Sequence, residues 1–141
     1  MDIYTVVKQD YKQIVTLLTN LSNLNDVQNL YTYFNQLSQE LDSHIKTKEQ
    51  VFYPVVRQNY PNGKELIAKA EVEHQTFQQL LEDLESFSPT SDEFKQKAVE
   101  LQQAIQAFFQ QEEDDILLPT KLHLDDIQRQ QLGNEYLAAK K

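Results

Sequence analysis

The chain has no cysteine. Disulfides, thiolate nucleophiles, iron–sulfur clusters and cysteine-bound zinc are therefore excluded. Glycine occurs twice and proline four times, so few positions interrupt a chain rich in the helix formers Gln, Leu, Glu and Lys. Positive charge is also scarce. Thirteen Lys and Arg stand against 22 Asp and Glu, giving a formal net charge of −9. A phosphate-binding surface needs a basic patch, and the one basic cluster, Lys140-Lys141, is too small, so no nucleic-acid partner is expected. No apolar run approaches the roughly 18 residues of a membrane helix, and Met1-Asp2-Ile3 begins no signal peptide. The expectation is a cytoplasmic protein with no membrane partner.

What is present is helical periodicity. The 141 residues suffice for one domain, 1–141, with a real core. Ile3, Val7, Tyr11, Ile14, Leu18 and Leu21 form one apolar stripe. Ser22-Asn23-Leu24-Asn25-Asp26 reads as a turn, with Asn25 or Asp26 able to cap the next helix. Leu30, Phe34, Leu37, Leu41, His44, Lys48, Val51 and Val55 form a second stripe, with Pro54 expected to kink its end. Asn59-Tyr60-Pro61-Asn62-Gly63 is a break. The third stripe is Ile67, Ala70, His74, Phe77, Leu81 and Leu84. After Ser88-Pro89-Thr90-Ser91, with Ser91 opening the helix, a fourth reads Phe94, Ala98, Leu101, Ile105, Phe109, Glu112 and Ile116. The spacing predicts helices near 2–21, 26–58, 63–87 and 91–117. A short fifth helix near 124–139 has Asp125 and Asp126 at its start and Lys140-Lys141 at its end, as the helix dipole favours. With no strand alternation, this describes an all-α, up-down antiparallel four-helix bundle with a short fifth C-terminal helix. An open helical array is the alternative.

Two segments repeat one pattern. Leu41-Asp42-Ser43-His44 runs on to Lys48 and Tyr53-Pro54; Ile105-Gln106-Ala107-Phe108-Phe109 runs on to Glu113 and Leu118-Pro119. His44 and Phe109 each stand ten residues before the proline, and Lys48 and Glu113 follow them by four. A His with a carboxylate at i+4 presents both to one face of a helix, the geometry of inward-facing di-iron sites. Here each copy keeps one ligand type and lacks the other. Polar residues on an apolar stripe are informative because unpartnered burial costs several kcal/mol. Tyr11, His44, Lys48, His74, Glu112 and Glu113 lie on or beside the stripes, whereas His123 reads as a surface residue.

Lys8-Gln9-Asp10-Tyr11, His44 through Tyr53-Pro54, Glu71-Val72-Glu73-His74, Glu113-Asp114 through Pro119 and the tail Leu124 through Tyr136 together resemble the hemerythrin-like family of HHE cation-binding domains. The resemblance spans the chain and implies an up-down bundle with two irons in its core, used for oxygen carriage, oxygen or redox sensing, or iron handling. It implies His44, His74 and Glu113 as metal ligands, with Asp114 an alternative to Glu113. It also shows what is lost. Tyr11 stands where the family gives a His, Lys48 where it gives a bridging Glu, Phe109 where it gives a His, and Gln78 where hemerythrins proper have a further His. Glu49 is acidic but about 100° of helix away from Lys48.

Two irons need roughly five to seven protein ligands, and three candidates remain. A lysine ammonium about 4 Å from a dication in a low-dielectric site costs several kcal/mol per ion. The expected arrangement is a metal-free core in which Lys48 pairs with Glu113, or with Glu112 if the fourth helix is rotated. His44, His74 and Tyr11 would complete the cluster, with the two histidines approaching each other. No cofactor is the first expectation, and the alternative is one iron or zinc ion on His44, His74 and Glu113. The expected function is a non-enzymatic binding or regulatory module for an unknown protein or small molecule. The alternatives are a metal-binding protein in sensing or iron handling and an enzyme using Lys48 as a buried amine. Phosphate-loop, nucleotide and nucleophile-elbow signatures are absent.

Overall fold

The computed structural model describes residues 1–23 and 27–140, with backbone alone at 22, 23, 27 and 28. Helix α1 spans Ile3–Asn23, so Ser22 and Asn23 continue the helix rather than turning. The expected cap at Asn25 or Asp26, and Lys141, lie outside the described residues. Helix α2 spans Val27–Thr47, followed by a π-helical segment Lys48–Phe52 and helix α3, Tyr53–Asn59. Helix α4 is Gly63–Ser86 and α5 is Asp92–Glu112; a second π segment, Glu113–Leu117, leads into α6, Leu118–Lys121, and α7 is Asp126–Lys140. No strand occurs among the described residues. The fold is all-α, a bundle of four rods (α1, α2–α3, α4, α5–α6) with α7 laid against α1, α2 and the first π segment. No helix among the described residues is long and apolar enough to cross a membrane.

The stripes of α1, α4 and the fourth rod face the core as expected, from Ile3 to Leu21, from Ile67 to Leu84 and from Phe94 through α5 to Ile116 in the second π segment. The second rod departs from expectation beyond Lys48. Val51 and Val55 are only half-buried, and Phe52, Tyr53 and Val56 take the core instead. The cause is the π segment. Proline lacks an N–H and its ring crowds the carbonyl four residues back. A π turn accommodates this by spanning five residues instead of four: the Tyr53 N–H bonds to the Lys48 carbonyl. Ahead of Pro119 the Leu118 N–H bonds to the Glu113 carbonyl in the same way. Each extra residue moves the following stripe on by one position.

Turns and caps obey their local chemistry. Asn62 takes a left-handed φ of 62°, and a Cβ on Gly63 would fall 2.1 Å from the Val56 carbonyl oxygen. This close approach turns α3 back into α4. The Ser91 hydroxyl accepts from the Phe94 N–H at 3.1 Å, the N-cap expected of it. At the start of α7, Asp125 accepts from the Gln128 N–H (2.8 Å) and Gln128 from the Asp125 N–H (2.9 Å), a reciprocal capping box. Gly133 lets α7 cross the N-terminal segment, since a Cβ there would meet the Met1 carbonyl oxygen at 1.8 Å.

Candidate functional site

The second and fourth rods each deliver one charge to the middle of the bundle. Lys48, the first residue of the first π segment, has no solvent exposure, and neither has the Glu112 side chain. The ammonium donates to both oxygens of that carboxylate, at 3.0 and 3.1 Å. The Tyr11 hydroxyl donates to Oε1 of Glu112 and the Tyr53 hydroxyl to Oε2. Around the ammonium lie the rings of Phe108, Tyr11 and Tyr53, with centroids at 5.0, 5.4 and 5.6 Å. Faces of aromatic rings attract a cation, so this buried charge has both a counter-ion and a favourable lining. Burial pushes the Lys48 amine down, while Glu112 pulls it back up. Burial would raise the Glu112 carboxyl, but Lys48 and the two tyrosine hydroxyls outweigh it and hold Glu112 below the ordinary glutamate range. Burial, and then the Glu112 charge, raise both Tyr11 and Tyr53.

His44 and His74 are both buried, as expected. They are near enough for the His44 charge to act on His74, and each is held by its own partners. His44 Nδ1 donates to Asp10 Oδ2 at 3.0 Å, since an ionised carboxylate only accepts. The Tyr136 hydroxyl donates to the same oxygen at 2.5 Å. His44 Nε2 is then a bare lone pair with no hydrogen-bond partner among the described residues. His74 Nδ1 lies 3.2 Å from Glu49 Oε1, and its Nε2 is 3.4 Å from the Tyr53 hydroxyl. Burial, reinforced by the Lys48 charge, lowers His44 to about 4 and His74 to about 2, so both are neutral at pH 7. Burial would raise Asp10, but its bonds to His44, Lys140 and Tyr136 hold it at about 2.

Glu113 departs from the expected ligand set. It turns outward and pairs with Lys8 at 2.8 Å, its side chain 23% exposed. Glu112 faces Lys48 instead, so the rotated alternative is the one found. Asp114 is exposed and accepts from Gln110 at 3.2 Å. Phe109 stacks on Tyr11, centroids 3.9 Å apart. Gln78 is exposed. His123 is exposed and meets the Tyr60 ring edge-on. Among the described residues no three His, Asp or Glu side chains converge as metal ligands. Sequence reasoning missed Asp10 and Tyr136. The signal was available for Asp10: it falls on the face of Ile3, Val7 and Ile14, a carboxylate at a core position.

Comparison with known proteins decides the family. The family model described as the hemerythrin HHE cation binding domain matches residues 2–119. The chain belongs to the hemerythrin HHE family. A crystal structure of a hemerythrin HHE cation binding domain-containing protein from Mycobacterium kansasii superposes with a TM-score of 0.88 at 22% identity, covering 99% of this chain and 85% of that one. At that identity the likeness shows the fold. A protein named DNA nickase from Nostoc sp. (strain PCC 7120 / SAG 25.82 / UTEX 2576) is 32% identical over 142 residues, which is 99% of this chain but 39% of the relative. The chain thus spans about two-fifths of that protein's length. Helix α7 lies beyond the residues that the family model matches.

Proposed function

We propose that this chain is a non-enzymatic hemerythrin-type bundle, one domain over 1–141, that serves as a binding or regulatory module. In this reading Lys48 is the core cation where relatives hold metal. The observation that carries it is the two-pronged Lys48–Glu112 pair, fully buried and capped by Tyr11 and Tyr53. The test of fit to two irons points the same way. His44 has the pose of a ligand, with Nδ1 on a carboxylate and Nε2 bare. The rest of the set does not fit. Glu112 is taken by an ammonium, Glu113 faces outward and Phe109 presents an apolar ring.

Metal analysis of the purified protein, with titration calorimetry of iron and zinc into wild type and Lys48→Glu, tests this. The expected result is no stoichiometric binding by wild type and a gain of binding by Lys48→Glu. Tight binding of two metals by wild type would refute it. The bare lone pair of His44 favours one second reading, a single iron or zinc ion used in sensing or iron handling. Binding of one metal per chain by wild type would establish that reading. An enzyme using the Lys48 amine is tested by borohydride trapping of a small aldehyde, and no adduct on Lys48 is expected. The nickase name belongs to a protein of which this chain matches a part. Nicking of supercoiled plasmid by this chain would overturn the non-enzymatic reading and the inference, from a charge of −9, that it has no nucleic-acid partner.

A further inference from the structure

Helix α7 packs on α1, α2 and the first π segment through a short apolar strip. Within it only Leu132, Gly133 and Tyr136 are buried, against seven buried residues each in α4 and α5. Ile127 and Leu137 are 70% and 39% exposed. Its remaining hold is polar. Arg129 bonds to Asp2 at 3.0 Å and to the carbonyls of Leu124 and Lys121 at 3.1 and 3.3 Å. Lys140 bonds to Asp10 Oδ1 at 2.5 Å and to Glu40. Tyr136, with no exposure, places its hydroxyl 2.9 Å from His44 Nδ1 and its ring edge-on to the imidazole, centroids 6.5 Å apart. Elements with few buried apolar contacts open at lower free energy than the core.

A second side of the cluster faces a groove between α1 and α5, lined by Val15, Thr16, Gln106 and Gln110 among others. The Tyr11–Phe109 stack closes its floor. Moving that stack would break the Tyr11 bond to Glu112 and the packing of two large rings. Moving α7 gives up the burial of Leu132 and Tyr136 and the Arg129 and Lys140 ion pairs, whose polar ends water can solvate, and leaves the Lys48–Glu112 pair in place. The route of lower cost is therefore α7.

We infer that α7 is a lid over the buried cluster, latched to the Asp10 carboxylate by Tyr136 and Lys140, whose opening admits solvent-borne small molecules to His44 while the four rods stay folded. The lid stands whether or not Lys48 has displaced metal. Its latch is ionic on one side and mostly buried, the Lys140 and Asp10 side chains being 17% and 10% exposed, so salt loosens it only in part.

Diethyl pyrocarbonate, which acylates the unprotonated nitrogen of an accessible neutral imidazole, is the probe, with each histidine read by mass spectrometry. Water reaching the Asp10 side lets the ring proton exchange between nitrogens, so that Nδ1 can react once α7 is open. In wild type the exposed His123 labels fast, and His44 and His74 label slowly. Losing a hydrogen bond to a charged group shifts an opening equilibrium about tenfold or more. Tyr136→Phe and Lys140→Ala should each raise the His44 rate by that factor and leave His74 unchanged. Raising salt from about 0.05 to 1 M should raise His44 labelling in wild type itself, a test that needs no variant to fold. Parallel rises at His44 and His74 would mean that the bundle opens as a whole, and no rise at His44 would mean that α7 is a fixed part of the wall. Either overturns the lid.

Discussion

His44 and His74 are both neutral, both buried and both close enough to Lys48 to have their basicity lowered by it, yet they are held in different ways. His44 hangs on Asp10, itself buried, whose other partners Tyr136 and Lys140 belong to α7. His74 hangs on Glu49, whose side chain is 37% exposed. One imidazole is thus the inner end of a network that reaches across the chain. The other is tethered to a side chain that water can solvate. A buried polar group inside a network is costly to disturb, because each member's loss strands the rest. A half-exposed partner can be replaced by solvent at little cost.

The largest effect should come from removing what the two histidines share. Lys48→Ala strands the Glu112 carboxylate and should cost about 3–5 kcal/mol in urea unfolding. Lys48→Met combined with Glu112→Gln should recover most of this, because the charge is gone and an amide oxygen still accepts from a tyrosine. A double variant no more stable than the single would show that packing, not charge, sets the loss. Removing the two anchors then separates the histidines. Asp10→Ala leaves the His44 N–H and the Tyr136 hydroxyl without their acceptor and should cost about 2–3 kcal/mol, while Glu49→Ala should cost under about 1 kcal/mol. Equal losses in chemical denaturation would erase the distinction.

Acid sharpens the comparison further. Both folded-state values lie below the ordinary 6.5, at about 4 for His44 and about 2 for His74. Below pH 6.5 the unfolded chain binds protons that the folded one refuses, so stability present above that pH is lost as pH falls. The His44 contribution is complete near pH 4, where the folded imidazole charges too, and that of His74 continues towards pH 2. Asp10, lowered from 3.8 to about 2, adds its own loss only between those values. Thermal melts from pH 8 to 3 should show Tm falling from about pH 6.5 downward, and His74→Gln should roughly halve the slope between about pH 6 and 4. An unchanged slope in that variant would mean that His74 is charged in the folded protein.

The four rods, their core stripes and the Ser91 cap were legible because a 3.6-residue period and a cap are local facts written in neighbouring residues. The π segments were not. Pro54 and Pro119 announce a disturbance, but a kink, a break and a widened turn all relieve the same clash. Only the widened turn exchanges Val51 and Val55 for Phe52 and Val56. The choice between Glu112 and Glu113 fails for the same reason: adjacent carboxylates differ by one helical step, and the rotation of a rod is set by packing against its neighbours. Lys48 was legible because its stripe up to that point is unambiguous. Tyr136 was not, because α7 carries too weak an apolar pattern to say which face it buries.

The latch on Asp10 also has a bearing on the order of assembly. Its tyrosine and lysine partners lie 126 and 130 residues further along the chain, and Arg129 reaches back 127 residues to Asp2. Contacts of such separation close late, after the loop entropy of the intervening chain has been met. During synthesis α1 can form and the rods can collapse on it while Asp10 still has His44 as its one buried partner and water on its other side. The carboxylate becomes dry only when residues 136 and 140 have left the ribosome and α7 has folded down. Nascent chains shorter than this should be compact and helical, with an imidazole–carboxylate pair still open to solvent. Helix α7 thus seals a carboxylate of α1 from the far side of the fold.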